Sequence, residues 1–180
     1  SKWTLLFLFL CIGHSAKADY PIFWQRYTAD PSGIEYNGRL YLFCSHDTYN
    51  VERGYGYFMN DITCISTDDM KNWTDHGEVF HAKDSKWGAK MTWAPCVVHR
   101  NGKFYLYYGD ANSGGIGVAV SDLPTGPYID NHDRPVVGMD TPGVLLYDEN
   151  NRCIKNKKGV PGAISGSENW GMWCFDPCVF

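Results

Sequence analysis

The sequence predicts an all-β protein, a β-propeller of four-stranded blades of which about two blades and the opening of a third are present. Three observations carry this. The first is internal repetition. Asp30-Pro31 runs on to Asn37-Gly38 and the aromatic-rich Arg39-Leu-Tyr-Leu-Phe43. With Pro95 standing 64 residues after Pro31, Ala94-Pro95 runs on to Asn101-Gly102 and Lys103-Phe-Tyr-Leu-Tyr-Tyr108. A third opening stands at Phe175-Asp176-Pro177. Self-similarity of this kind marks a repeat architecture. The second is turn chemistry: Asn-Gly suits the type I′ turn that reverses a hairpin, so each unit reads as strand, tight turn, strand. The third is that helical periodicity is absent throughout.

The elements follow in order. Lys2, the uncharged apolar run Trp3 to Ile12 and the small-x-small Ala16-Lys17-Ala18 read as a signal peptide over residues 1–18. The alternative is an N-terminal strand buried in the fold. Residues 19–180 then form the N-terminal part of a single propeller domain. In unit one, Gly33 to Ser45 is a hairpin about Asn37-Gly38, and Tyr55 to Thr67 a further pair turning at Asn60-Asp61. Asp68 to Trp73 is a polar turn, and Gly77 to Phe80 a short outer strand. Unit two repeats the plan with Cys96 to Arg100, Lys103 to Gly109 and Gly117 to Val120, closed by Ser121 to Tyr128. Asp140 to Trp173 is Gly- and Asn-rich and reads as an insertion ahead of the third blade, with a strand near Val144 to Tyr147.

The composition excludes several classes. With 44% hydrophobic, 20% charged and 16% aromatic residues the chain is globular, and a net charge of −4 offers no basic stripe for nucleic acid. No second apolar segment suggests a membrane protein, and neutral substrates suit the surface. Cys44, Cys64, Cys96, Cys153, Cys174 and Cys178 follow the leader. One or two disulfides, buried free thiols and a zinc site all stay open, although only Cys174 and Cys178 are close and no second pair has zinc spacing. Asn72-Trp73-Thr74 is a glycosylation sequon, meaningful in a eukaryotic source.

The prolines carry the site expectation. Proline favours an extended residue before it and is tolerated at the start of a strand. Asp30 and Asp176 are therefore expected at equivalent strand mouths, converging on one centre if the units surround an axis.

Ala29-Asp30-Pro31, Trp93-Ala94-Pro95 and Phe175-Asp176-Pro177, with the Asn-Gly hairpins and Ser121-Asp122 through Gly126-Pro127-Tyr128, resemble the blade openings of glycoside hydrolase family 43. That family comprises five-bladed propeller enzymes, among them β-xylosidases, α-L-arabinofuranosidases and arabinanases. Tyr27 to Asp47, with Ser45-His46-Asp47, is most similar to members acting on arabinoxylan. The resemblance implies a secreted, inverting glycosidase that removes arabinofuranosyl or xylosyl units from plant cell-wall polysaccharide. Asp30 matches the general base that activates water. Asp176 matches the carboxylate that orients the general acid and keeps its pKa raised. The acid itself is a Glu of a later blade, expected beyond Phe180 and absent from this chain. Glu168 is the one substitute within it, against a plain surface carboxylate. No cofactor is expected beyond a structural calcium at the propeller axis, held by residues later than Phe180.

Each assignment has a plainer rival. Asp30 and Asp176 also suit turn caps before proline. Trp93 is either a wall against the sugar or core between blades. His46 and Asp47 either bind substrate hydroxyls or form a local turn. Trp73, Trp87, Trp170 and Trp173 read as structural. Cys96 stands where many relatives carry an acidic residue. At the level of function the alternatives are a glycan-binding propeller without catalysis and a retaining sucrose- or fructan-cleaving propeller, which Trp93-Ala94-Pro95 disfavours.

Overall fold

Two Asn-Gly turns organise the chain. Asn37 and Gly38 sit at φ 53° and 79°, Asn101 and Gly102 at 53° and 75°, the left-handed pair that a type I′ turn needs. Each joins the first two strands of a sheet. The computed structural model describes residues 22–49, 52, 58–110, 114–138, 141–142, 144, 148–152 and 176–180.

The first sheet holds β1 (Thr28–Tyr36), β2 (Arg39–Asp47), β3 (Met59–Thr67) and β4 (Thr74–His81), antiparallel in that order. The second holds β5 (Trp93–Arg100), β6 (Lys103–Asp110), β7 (Gly115–Ser121) and β8 (Val137–Gly138), again in chain order. β5 lies against β1 and β2, so the blades pack face to face at their first strands. The only helical element among the described residues is a single 3-10 turn, Ala82–Asp84.

The core fills the space between the sheets. Phe43, Ile62, Phe104, Leu106 and Tyr108 are fully buried in one cluster with Val79, Phe80 and Tyr128. Full burial of side chains of this size contributes about 1.5–3 kcal/mol each. Tyr36 of the first blade meets Phe104 of the second edge-on, ring centroids 4.9 Å apart, and Phe80 lies 4.8 Å from Tyr108. Trp87 stacks on Tyr108 and donates its indole N–H to the phenol oxygen at 2.9 Å. Tyr108 in turn donates to the buried Asp130 at 2.6 Å. Only glycine fits beside them, because a Cβ on Gly117 would stand 2.4 Å from the Tyr108 ring.

The structure corrects four expectations. Asn60-Asp61 is not a turn: both residues lie inside the continuous β3, with Asp61 opposite His46 and Ile62 opposite Ser45. A central strand is covered on both faces, and Asp61 reads as turn-like only until its partner is seen. Second, β8, not Ser121 to Tyr128, closes the second sheet. Pro124 and Pro127 remove two backbone donors from that segment, which loops out and returns through an isolated bridge between Val120 and Ile129. Third, the residues before the prolines are not extended. Asp30, Ala94 and Asp176 all lie at positive φ, 53°, 44° and 53°. Fourth, Asp176 to Phe180 forms no strand among the described residues. Residues 1–18, Tyr55 to Tyr57, Glu168, and nearly all of the Val144 to Tyr147 strand lie outside the described residues. Of the expected short outer strand, Gly77 to Phe80 falls within the longer β4.

Candidate active site

Antiparallel pairing gathers the expected site residues at one end of the sheets. β1 begins there and β2 ends there, with Thr28 opposite His46 and Ala29 opposite Ser45. β5 also begins there, Trp93 facing Gly109 near the end of β6.

The positive φ values at Asp30 and Ala94 have a shared origin. Pairing of β1 with β2 slips between Ala29 and Ser32, and pairing of β5 with β6 slips between Trp93 and Cys96. Each slip is a β-bulge that leaves the residue before the proline out of the ladder and re-aims it, a device common next to active sites. Holding a non-glycine residue there costs about 1–3 kcal/mol. Asp tolerates that region better than most residues; Ala94 does not share the advantage. The third opening repeats the conformation at Asp176, so three successive units present one residue each in the same backbone state.

Asp30 and Asp176 are exposed, and Asp47 is half-buried. The three carboxylates are electrostatically linked. Partial burial, then the charge of Asp30, raises the Asp176 carboxyl above the ordinary carboxylate value. The same two causes raise Asp47, with His46 opposing. Asp47 and Asp176 thus both feel the charge of Asp30. His46 sits with Nδ1 at 3.0 and 2.9 Å from the two oxygens of Asp61, which is buried. Trp93 is half-buried at the first position of β5.

Two residues here were missed by sequence reasoning. Asp61 was hidden inside an apparent turn. Ser45 is fully buried; its hydroxyl lies 3.4 Å from Asp30 Oδ2 and accepts the Ala94 N–H at 2.8 Å. The register that places Ser45 opposite Ala29 is the signal that would have found it.

The loop leading to Trp93 is anchored by Asp110, a fully buried carboxylate that accepts the N–H groups of Lys90 and Met91 at 2.6 and 3.3 Å. Thr92 adds a backbone bond to the Met59 carbonyl at 2.8 Å. Cys96 takes the Val179 N–H on its sulfur at 3.4 Å, so the position where an acidic residue was expected instead docks the third opening against β5.

Cys44, Cys64, Cys96 and Cys178 are free thiols, while Cys153 and Cys174 lie outside the described residues. Burial pushes Cys44 up to about 11, with Asp30 adding to it against a hydrogen bond from Thr28. Burial likewise pushes Cys64 up to about 12. Neither supplies a thiolate near neutral pH. Among the described residues no three His, Cys, Asp or Glu side chains gather as a metal site.

Asp30 near the start of β1, Asp47 at the end of β2 and Trp93 at the start of β5 thus stand at one end of two successive blades, and Asp176 feels the charge of Asp30. The chain belongs to the glycosyl hydrolases family 43, whose sequence model matches residues 19–159. It is 41% identical over 172 residues to an arabinoxylan arabinofuranohydrolase of Paenibacillus polymyxa, covering 78% of this chain and 27% of that protein. It is 37% identical over 142 residues to a xylosidase/arabinosidase of Humicola insolens, covering 72% and 43%. Among solved structures, an α-L-arabinofuranosidase from Clostridium thermocellum shares 54% identity at a TM-score of 0.58, covering 76% of this chain and 49% of that one. The chain thus spans less than half the length of each of these relatives.

Proposed function

We propose that the whole protein is an inverting glycosidase that removes arabinofuranosyl or xylosyl units from arabinoxylan, arabinan or xylan. On this reading it is secreted through the leader at residues 1–18, and residues 19–180 supply the N-terminal part of its catalytic propeller. The observation that carries the reading is the equivalence of Asp30 and Asp176: both precede proline, both lie at φ 53°, and the charge of one raises the pKa of the other. Two unrelated turn caps have no reason to share all three. The relatives named above, an arabinofuranohydrolase, a xylosidase/arabinosidase and an arabinofuranosidase, support the choice of sugars.

Asp30 acts as the base. It takes a proton from water on the face of the sugar opposite the leaving oxygen. Inversion requires acid and base about 6.5–9.5 Å apart so that the water fits between them. Asp176 keeps the acid protonated by like-charge repulsion, and the acid is a Glu of a later blade. His46 and Asp47 bind substrate hydroxyls and Trp93 packs against the sugar. Hydrolysis of this kind uses no cofactor.

Replacing Asp30 with Asn tests the assignment, since the shape and a hydrogen-bonding side chain remain. Turnover on aryl arabinofuranosides and xylosides is expected to fall roughly 10²–10⁴-fold, with the thermal transition retained. Wild-type turnover in Asp30→Asn would remove Asp30 from the role of base.

A further inference from the structure

We propose that Ser45 is a positioning residue for the base, tying the Asp30 carboxylate to the second blade. The proposal rests on the reading of Asp30 as base. Ser45 is fully buried in β2, and its hydroxyl has one proton to give. The Ala94 N–H points at its oxygen from 2.8 Å and occupies a lone pair, while Asp30 Oδ2 lies 3.4 Å away on the acceptor side. The proton therefore goes to Asp30. Catalytic hydrogen bonds of this length tighten when substrate is bound.

The bond answers a mechanical need. Asp30 stands outside the β1–β2 ladder at a bulge, exposed and at positive φ, so the sheet does not hold its side chain. Ala94 is bulged in the same manner at the opening of β5. Its N–H, freed from its own ladder, is the donor that pins Ser45. One hydroxyl thus couples the two bulges: the second blade sets the Ser45 rotamer, and Ser45 sets the face of the carboxylate offered to water. This also explains why Ala94, which gains nothing chemically from the left-handed region, adopts it. Alanine replaces the Asp of the other two openings because the position supplies its backbone and no side-chain chemistry.

The test is a double-mutant cycle in the whole protein with Ser45→Ala, Asp30→Asn and the pair, measured on xylo- or arabino-oligosaccharides and on aryl glycosides. Ser45→Ala is expected to lower kcat roughly 10–100-fold, the scale of a small misplacement of a reacting group, with KM nearly unchanged. In the Asp30→Asn background it is expected to cost nothing further in kcat. Ser45→Cys, closest in volume but a poor donor, serves in the same cycle if Ser45→Ala does not fold. Equal losses in both backgrounds would make Ser45 a structural residue and overturn the proposal, as would unchanged kcat in a folded Ser45 variant while Asp30→Asn is impaired. Wild-type turnover in Asp30→Asn is a different result: the base reading fails, and the Ser45 role fails with it.

Discussion

The imidazole Nδ1 of His46 lies within 3.0 Å of both carboxylate oxygens of Asp61 across the β2–β3 ladder. A carboxylate accepts only, so Asp61 selects the form of His46 with a proton on Nδ1 and fixes the ring plane.

Removing the acceptor exposes that dependence. Asp61→Ala leaves the Nδ1 N–H without its partner and is expected to lower stability by about 1–3 kcal/mol and to raise KM for oligosaccharides. Asp61→Asn, whose amide oxygen still accepts, is expected to do much less of both. Urea titration and Michaelis kinetics on the two variants check the ordering.

Gly117 tests the packing between blade and loop. Its missing Cβ is the space taken by the Tyr108 ring and the Trp87 nitrogen, 2.4 and 2.7 Å from where the atom would stand. Gly117→Ala must displace two large rings, so a loss of about 1–3 kcal/mol is expected, read as a lower thermal midpoint. An unchanged midpoint would show that the pair repacks freely.

The third prediction concerns charge. Asp47 and Asp176 are both raised by burial first and by Asp30 second, so Asp30→Asn is expected to move both back toward the ordinary carboxylate value. A carboxyl raised in the folded state favours folding below its unfolded pKa of about 3.9, and that contribution is lost as pH rises through the folded value. Wild type is thus penalised at neutral pH by repulsion that Asp30→Asn relieves. The variant is expected to gain thermal stability over wild type at pH 7 and lose that advantage near pH 3. Carboxyl NMR titration together with melting curves at both pH values checks the sign.

Much of this architecture was legible because it rests on local chemistry. Asn37-Gly38 and Asn101-Gly102 announce their turns, and the recurrence of X-Pro before each strand pair announces the blades. What escaped depends on partners distant in sequence. Asp61 resembles a turn residue until β2 brings His46 opposite it. The positive φ at Asp30 contradicts the local preference of a residue before proline and arises from the bulge, which only sheet pairing reveals. Ser45 shows nothing in its own neighbourhood, since its role comes from Ala94, 49 residues away. β8 is two residues long, too short for any pattern.

Asp176→Asn, assayed on natural oligosaccharides and on nitrophenyl glycosides across pH, tests the carboxylate pair most directly. If Asp176 keeps the acid protonated, losing its charge lets that acid ionise at lower pH, and the optimum moves downward. Activated aryl substrates need little protonation of the departing oxygen, so the loss is expected to fall more heavily on the oligosaccharides. Equal losses on both substrates with an unmoved optimum would contradict the account and leave Asp176 a turn residue.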